Sequence, residues 1–250
     1  MRYLLLTIIL VLSCSSKKEV ILIQDAESLQ NFDINYQPIK IKSDDILRVK
    51  VSSKTPELAK LFSFDEFTNT SSESGFLING YMVNSDGFIN IPLLSPVLVK
   101  DLTVFEASEK IQKSLEDQGL LINSTVDVKI LNSYFTVLGE VNKPGRYNFI
   151  KNNINIFNAL GLAGDLTING NRDDIRILRN FDGNLVTSTV DLTKANLLSS
   201  DNFQVFPGDI IIVNPNDARV KNAGIIGNSG NLLSVLSFIL SSLILITSSN

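Results

Sequence analysis

Between Ile39 and Pro215 apolar residues recur mostly at every second position, in short arms closed by Ser43-Asp44-Asp45, Asn84-Ser85-Asp86-Gly87, Asn142-Lys143-Pro144-Gly145, Asp182-Gly183 and Pro207-Gly208. Period-two alternation sends successive side chains to opposite faces of a strand, and Asp, Asn, Gly and Pro supply the backbone angles that turns need. Two stretches inside this span change to helical spacing. The pattern predicts an α+β fold of short strands with few helices.

The first half reads as one unit. In "IKIKSDDILRVKVSS", Ile39, Ile41, Leu47, Val49 and Val51 alternate around a turn, which predicts a hairpin or two short strands. "KTPELAKLFSFDEFTNTSSESG" comes next as an insertion ending in a loop, and "FLINGYMVNSDGFINIPLL" reads as a hairpin about Asn84-Ser85-Asp86-Gly87. Thr103 with Glu106 three residues on is a capping-box pattern, Ala107, Ile111 and Leu115 fall on one helical face, and Gly119 can end the helix. Val126, Val128 and Ile130 then make one face of a strand.

Tyr134 opens a second unit. "YFTVLGEVNKPGRYNFI" is a strand, a turn and a return strand; "NIFNALGLAGD" is a short helix capped by Asn155 and closed at Gly164. A hairpin about Asp182-Gly183 and a last strand in "VFPGDIIIVNP" complete the element order of a β-grasp. The heptapeptides "SDDILRV" at 43–49 and "PGDIIIV" at 207–213 echo one another.

Composition excludes several classes of function. With 26 acidic and 22 basic residues the net charge is -4 and no basic block occurs, so the footprint of a nucleic-acid binder is missing. There is no histidine, the commonest general base and transition-metal ligand. No phosphate loop, dinucleotide fingerprint or metal-ligand cluster is present, so neither metal nor cofactor is expected. Asp45, Asp86 and Asp209 sit beside turns, where carboxylates accept backbone hydrogen bonds, and no catalytic pair can be assigned. Arg172, Arg176 and Arg179 are candidate contacts for an acidic sugar polymer, or partners for Asp173 and Asp174.

The two ends carry membrane-like signals. Met1-Arg2 followed by apolar Leu4 to Leu12 has signal-peptide length, and Val11-Leu12-Ser13-Cys14 closes it with the chain's one cysteine. At the other end, "LLSVLSFILSSLILIT" predicts a membrane helix of about 24 Å, short for an average bilayer. On a helical wheel Asn231, Ser234, Ser237, Ser241, Ser242 and Ser248 share one side, a candidate pore or helix-packing face, unless each Ser bonds back to its own helix.

These motifs, in this order, resemble the Wza-like outer-membrane polysaccharide export proteins. "YQPIKIKSDDILRV" is similar to the family's Tyr-x-Ile-x-Pro-Gly-Asp-x-Leu, with Ser43-Asp44 in place of Pro-Gly, and "MVNSDGFINIPLL" to its Val-x-x-Asp-Gly hairpin. Residues 139–147, "GEVNKPGRY", fit the signature of the family's SLBB domains, and Ala163-Gly164-Asp165-Leu166-Thr167 fits Ala-Gly-Gly-x-Thr except at Asp165. The Cys14 region resembles a lipoprotein cleavage and lipidation site.

The resemblance implies a signal peptide over 1–13, a tether over 14–35, a polysaccharide export domain over 36–132 and an SLBB β-grasp domain over 133–215. A linker over 216–230 and a C-terminal transmembrane helix over 231–248 complete the chain. It further implies a lipid-anchored protein of the outer membrane with periplasmic domains. As a homo-oligomer it would pass capsular or extracellular polysaccharide outward without catalysis, beside an inner-membrane co-polymerase and tyrosine autokinase complex. The alternative is a membrane-anchored periplasmic lipoprotein that binds glycan or a partner and forms no conduit.

Overall fold

The computed structural model describes residues 20–28, 34, 36–63, 80–150, 153–181, 183–223 and 229–248. The expected signal peptide with Cys14, much of the expected tether, the segment after Ser63 and the "FLIN" arm lie outside the described residues. Two hydrophobic cores organise the rest.

The first core is enclosed by β1 (Ile46–Ser52), α1 (Pro56–Lys60), β2 (Tyr81–Met82), β3 (Phe88–Ile89), β4 (Val97–Leu98), α2 (Val104–Asp117) and β5 (Thr125–Ile130). β1 is central in an antiparallel sheet ordered β2-β1-β5, and β3 pairs with β4. Thr103 and Glu106 form the expected capping box, and Ala107, Ile111 and Leu115 are fully covered. The opposite face of α2 is polar, so this helix gains stability mainly by burying one stripe.

The hairpin or pair of strands expected over 39–51 and the hairpin expected about 84–87 take other partners. The 39–41 arm does not pair with β1: Ile41 N–H donates to Leu102 O and Asp101 N–H to Ile41 O, so it lies against the entry to α2. The turn at 84–87 forms, with Asn84 Oδ1 accepting from Phe88 N–H, but its arms diverge, β2 to β1 and β3 to β4. Both arms still contribute to one core, because Val83 and Ile89 are buried within it.

The second core lies under β6 (Tyr134–Gly139), β7 (Gly145–Asn148), β8 (Gly170–Phe181), β9 (Asn184–Val190) and β10 (Ile210–Pro215), with α3 (Ile156–Leu162) on one face. The sheet order is β7-β6-β10-β8-β9; β10 runs parallel to β6 and all other neighbours are antiparallel. One helix between the second and third of five strands in this order is a β-grasp arrangement. Phe135, Val137, Ile175, Ile177, Ile211 and Val213 face α3 and are buried. The 139–147 motif knits this unit together. Gly139, at φ +89°, approaches Val213 O so closely that a Cβ there would lie 2.1 Å from it. Glu140 accepts from the Thr167 hydroxyl at 2.8 Å, the Asn142 amide donates to Gly164 O at 2.7 Å, and Tyr147 OH donates to Lys143 O.

The echo between 43–49 and 207–213 is one turn used twice. Asp45 Oδ2 accepts from the N–H three residues back, Lys42, at 2.7 Å, and Asp209 Oδ2 does the same from Phe206 at 2.8 Å. The residue before each Asp is left-handed, Asp44 at φ 68° and Gly208 at φ 87°. Asp165, the other departure from the family's glycine pattern, also has φ 68°. Asp is among the few non-glycine residues that tolerate this region, which explains why both replacements preserve the turns.

α4 (Asp217–Ala223) and α5 (Ser229–Ser248) complete the described elements. The expectation of a C-terminal transmembrane helix is corrected here: among the described residues no helix is long and apolar enough to cross a membrane. α5 forms, but Ser229, Gly230 and Asn231 precede its apolar part, Thr247 and Ser248 end it, and Ser234, Ser237, Ser241 and Ser242 interrupt it. From Leu232 to Ile246 a helix rises only about 22 Å, against a hydrocarbon core of about 30 Å.

Asp45 gives the first unit a pH dependence. Burial raises its carboxyl from the ordinary 3.8 to about 6, against the pull of the Lys42 N–H and charge. The folded state thus holds this proton more tightly than the unfolded chain, so the contribution to stability is full below about pH 3.8 and is lost as pH rises through about 6. Asn at this position accepts the same hydrogen bond without titrating. Urea midpoints of Asp45→Asn should fall less than those of the unmodified chain between pH 4 and 6; identical slopes would contradict the assignment.

Candidate functional site

The described residues converge on the junction of the two cores. Arg179, on the covered side of β8, makes a two-pronged ion pair with Asp209: Nε to Oδ1 at 2.9 Å and an NH2 nitrogen to Oδ2 at 2.8 Å. That nitrogen also donates to Gln204 O at 2.9 Å, and the guanidinium lies 4.3 Å above the Phe206 ring. Asp209 is 1% exposed, so its charge is held by Arg179 rather than by water.

Gln204 carries the network outward to the first unit. Its Oε1 accepts from Gln37 N–H at 2.7 Å and its Nε2 donates to Gln37 O at 2.9 Å, so one buried amide replaces a strand partner for the chain entering the first core. The Asn155 amide donates to Tyr36 OH at 3.2 Å, Tyr36 packs on Phe203, and Ile39 touches both cores. A cleft of about 170 Å³ opens beside this clamp, lined by Tyr36, Gln37, Leu198, Asp201, Phe203 and Gln204.

The segment before Tyr36 is docked too. Ile23 N–H donates to Leu192 O, Gln24 N–H to Thr193 O, and Asp25 Oδ1 accepts from Ala195 N–H, while Leu22 packs on the second core. Of the region expected to act as a tether, these residues lie along the second unit before the chain enters the first.

The three arginines on β8 do different things. Arg172 is buried and donates to Gly170 O at 2.9 Å. Arg179 belongs to the ion pair with Asp209. Arg176 points to the opposite face, 53% exposed and 3.7 Å from Asp174, so it alone of the three is presented to solvent. On α5 the hydroxyl of Ser237 donates to Ser234 O, Ser241 to Ser237 O, Ser242 to Phe238 O and Ser248 to Leu245 O. These protons are used within the helix, leaving the oxygens to accept from outside. The Asn231 side chain lies outside the described residues.

Chemically, this is an arrangement for holding surfaces together. Among the described residues no group of three His, Cys, Asp or Glu could hold a metal ion. Asp209 is neutralised by Arg179, and Asp45 serves a turn. Sequence reasoning missed the Gln204 clamp; its one signal is an amide inside the apolar run Phe203-Gln204-Val205-Phe206, which a partner had to satisfy.

Residues 35–131 match the family model described as polysaccharide biosynthesis/export protein. The match covers less than half of the chain and ends just before β6; it ties the first unit to polysaccharide export, a transport function. No curated protein matches the chain.

Arg179→Met leaves Asp209 buried without its cation and should destabilise the protein by roughly 3–5 kcal/mol. Adding Asp209→Asn should recover part of that loss, read as paired urea midpoints. Equal stability of Arg179→Met and the unmodified chain would show that the ion pair does not support the turn into β10.

Proposed function

We propose that this protein is a lipoprotein subunit of an outer-membrane polysaccharide exporter, an oligomeric conduit for capsular or extracellular polysaccharide. The observation that carries the reading is the match of residues 35–131 to the polysaccharide biosynthesis/export family. The likeness of residues 139–147 to an SLBB signature, on a five-stranded sheet with one helix, supports a second export-associated domain over 133–215.

In this reading Cys14 carries lipid and holds the chain at the outer membrane, with the domains of 36–132 and 133–215 in the periplasm. Several copies form a ring, and an inner-membrane co-polymerase and tyrosine autokinase complex supplies the polymer. Transport needs a hydrophilic path rather than a reacting group, so no residue is given a catalytic role. Arg176 is the arginine of β8 placed to meet an acidic polymer. α5 serves as a packing element between copies, with Ser234, Ser237, Ser241, Ser242 and Ser248 along its close-approach face.

Deletion of the gene should remove surface polysaccharide while leaving intracellular polymer synthesis measurable. The full chain should restore it, and Cys14→Ser should restore it poorly and leave the protein out of the membrane fraction. Unchanged surface polysaccharide in the deletion strain would overturn the reading.

A further inference from the structure

The second sheet ends in two unlike edges. Among the described residues β9 pairs only with β8, in unbroken register from Ile175 opposite Val190 to Phe181 opposite Asn184. Its sequence, "NLVTSTV", has no charge or proline, two of the devices that normally keep an edge from adding another strand. Leu185 is 62% exposed and Phe181 53%. At the other edge β7 pairs, among the described residues, only with β6 and is followed by Ile150, 57% exposed.

We infer that β9 of one subunit pairs with β7 of the next, so that the second sheet continues from copy to copy around the oligomer. The inference rests on the proposed ring and names the surface that builds it. Strand direction is the first argument. β9 runs with β6 and β10 and against β7, so copies sharing one orientation about a ring axis bring β9 and the neighbouring β7 together antiparallel, the more stable pairing. Such head-to-tail contact leaves no free edge when the rotation between copies closes the ring, and the proposed conduit supplies that closure.

Register is the second argument. Arg176 shares its face with its partner Thr189, so Leu185, Thr187 and Thr189 of β9 look to the outer face; Arg146 and Asn148 of β7 do likewise, opposite to buried-face Tyr147. Keeping faces matched permits Arg146 opposite Thr189, Asn148 opposite Thr187 and Ile150 opposite Leu185. Two exposed apolar side chains then cover each other, and no like charges are opposed.

Cysteines at Asn148 and Thr187 test the pairing in the full chain, because directly opposite residues place their Cβ atoms about 4.5–5.5 Å apart. Mild oxidation of membranes bearing the Asn148→Cys, Thr187→Cys variant should give a ladder of covalent multimers on denaturing gels. Each single variant, which shares the native Cys14, should give none. Moving the second cysteine to Ser188, on the other face, should abolish the ladder. Covalent dimers from Thr187→Cys alone would mean that β9 pairs with itself and would overturn the inference. So would absence of a ladder in the double variant when gene deletion still blocks surface polysaccharide, an outcome that leaves the export reading standing; that reading fails separately if deletion leaves surface polysaccharide intact.

Discussion

The ion pair between Arg179 and Asp209 fixes the relation between sequence, fold and site. Asp209 closes the turn into β10, the central strand of the second sheet, and Arg179 comes from β8 beside it. The same guanidinium orients the Gln204 carbonyl, and the Gln204 side chain holds Gln37 at the entrance to the first core. Burying two charges is expensive unless both are fully hydrogen-bonded, and here each carboxylate oxygen has a partner. One network therefore supports a strand turn, a sheet and the junction between units.

The same local chemistry recurs wherever the chain must turn. Asp44 and Asp165 take left-handed backbone angles at sites where the family pattern carries glycine, and Gly139 cannot be replaced in this way because Val213 O occupies the space a Cβ would need. A glycine required for backbone angle can be exchanged for Asp; a glycine required for close approach cannot.

Much of this was legible in the sequence, for physical reasons that differ by element. The Thr103/Glu106 cap, the Ala107-Ile111-Leu115 stripe and the five strands of the second unit depend on local spacing, and the residues forecast them. The partition of residues 80–90 between two sheets was not legible, because period-two alternation fixes which face a side chain occupies but not which strand lies beside it. The Gln37–Gln204 bonds span 167 positions, a separation no local pattern encodes. Arg172, Arg176 and Arg179 looked alike in sequence; their places along β8, whose register against β10 shifts near its start, give one to solvent and two to the interior. At the C-terminus, apolar content suggested a membrane span, but the interrupting serines and polar ends leave α5 too short an apolar stretch.

The functional consequence is a division of labour. The first unit carries the match to polysaccharide export, the second ends, among the described residues, in an edge strand without charge or proline, and residues 22–25 lie against the second unit. The proposed exporter would hold many copies in register, and the Arg179–Asp209 and Gln204–Gln37 contacts hold the described parts of one copy together. The most direct measurement is the mass and outline of the detergent-extracted full-length protein, by mass photometry with electron microscopy of the same sample. The account predicts a single closed ring of many subunits with an open centre; a population of monomers or open dimers without a pore would contradict it.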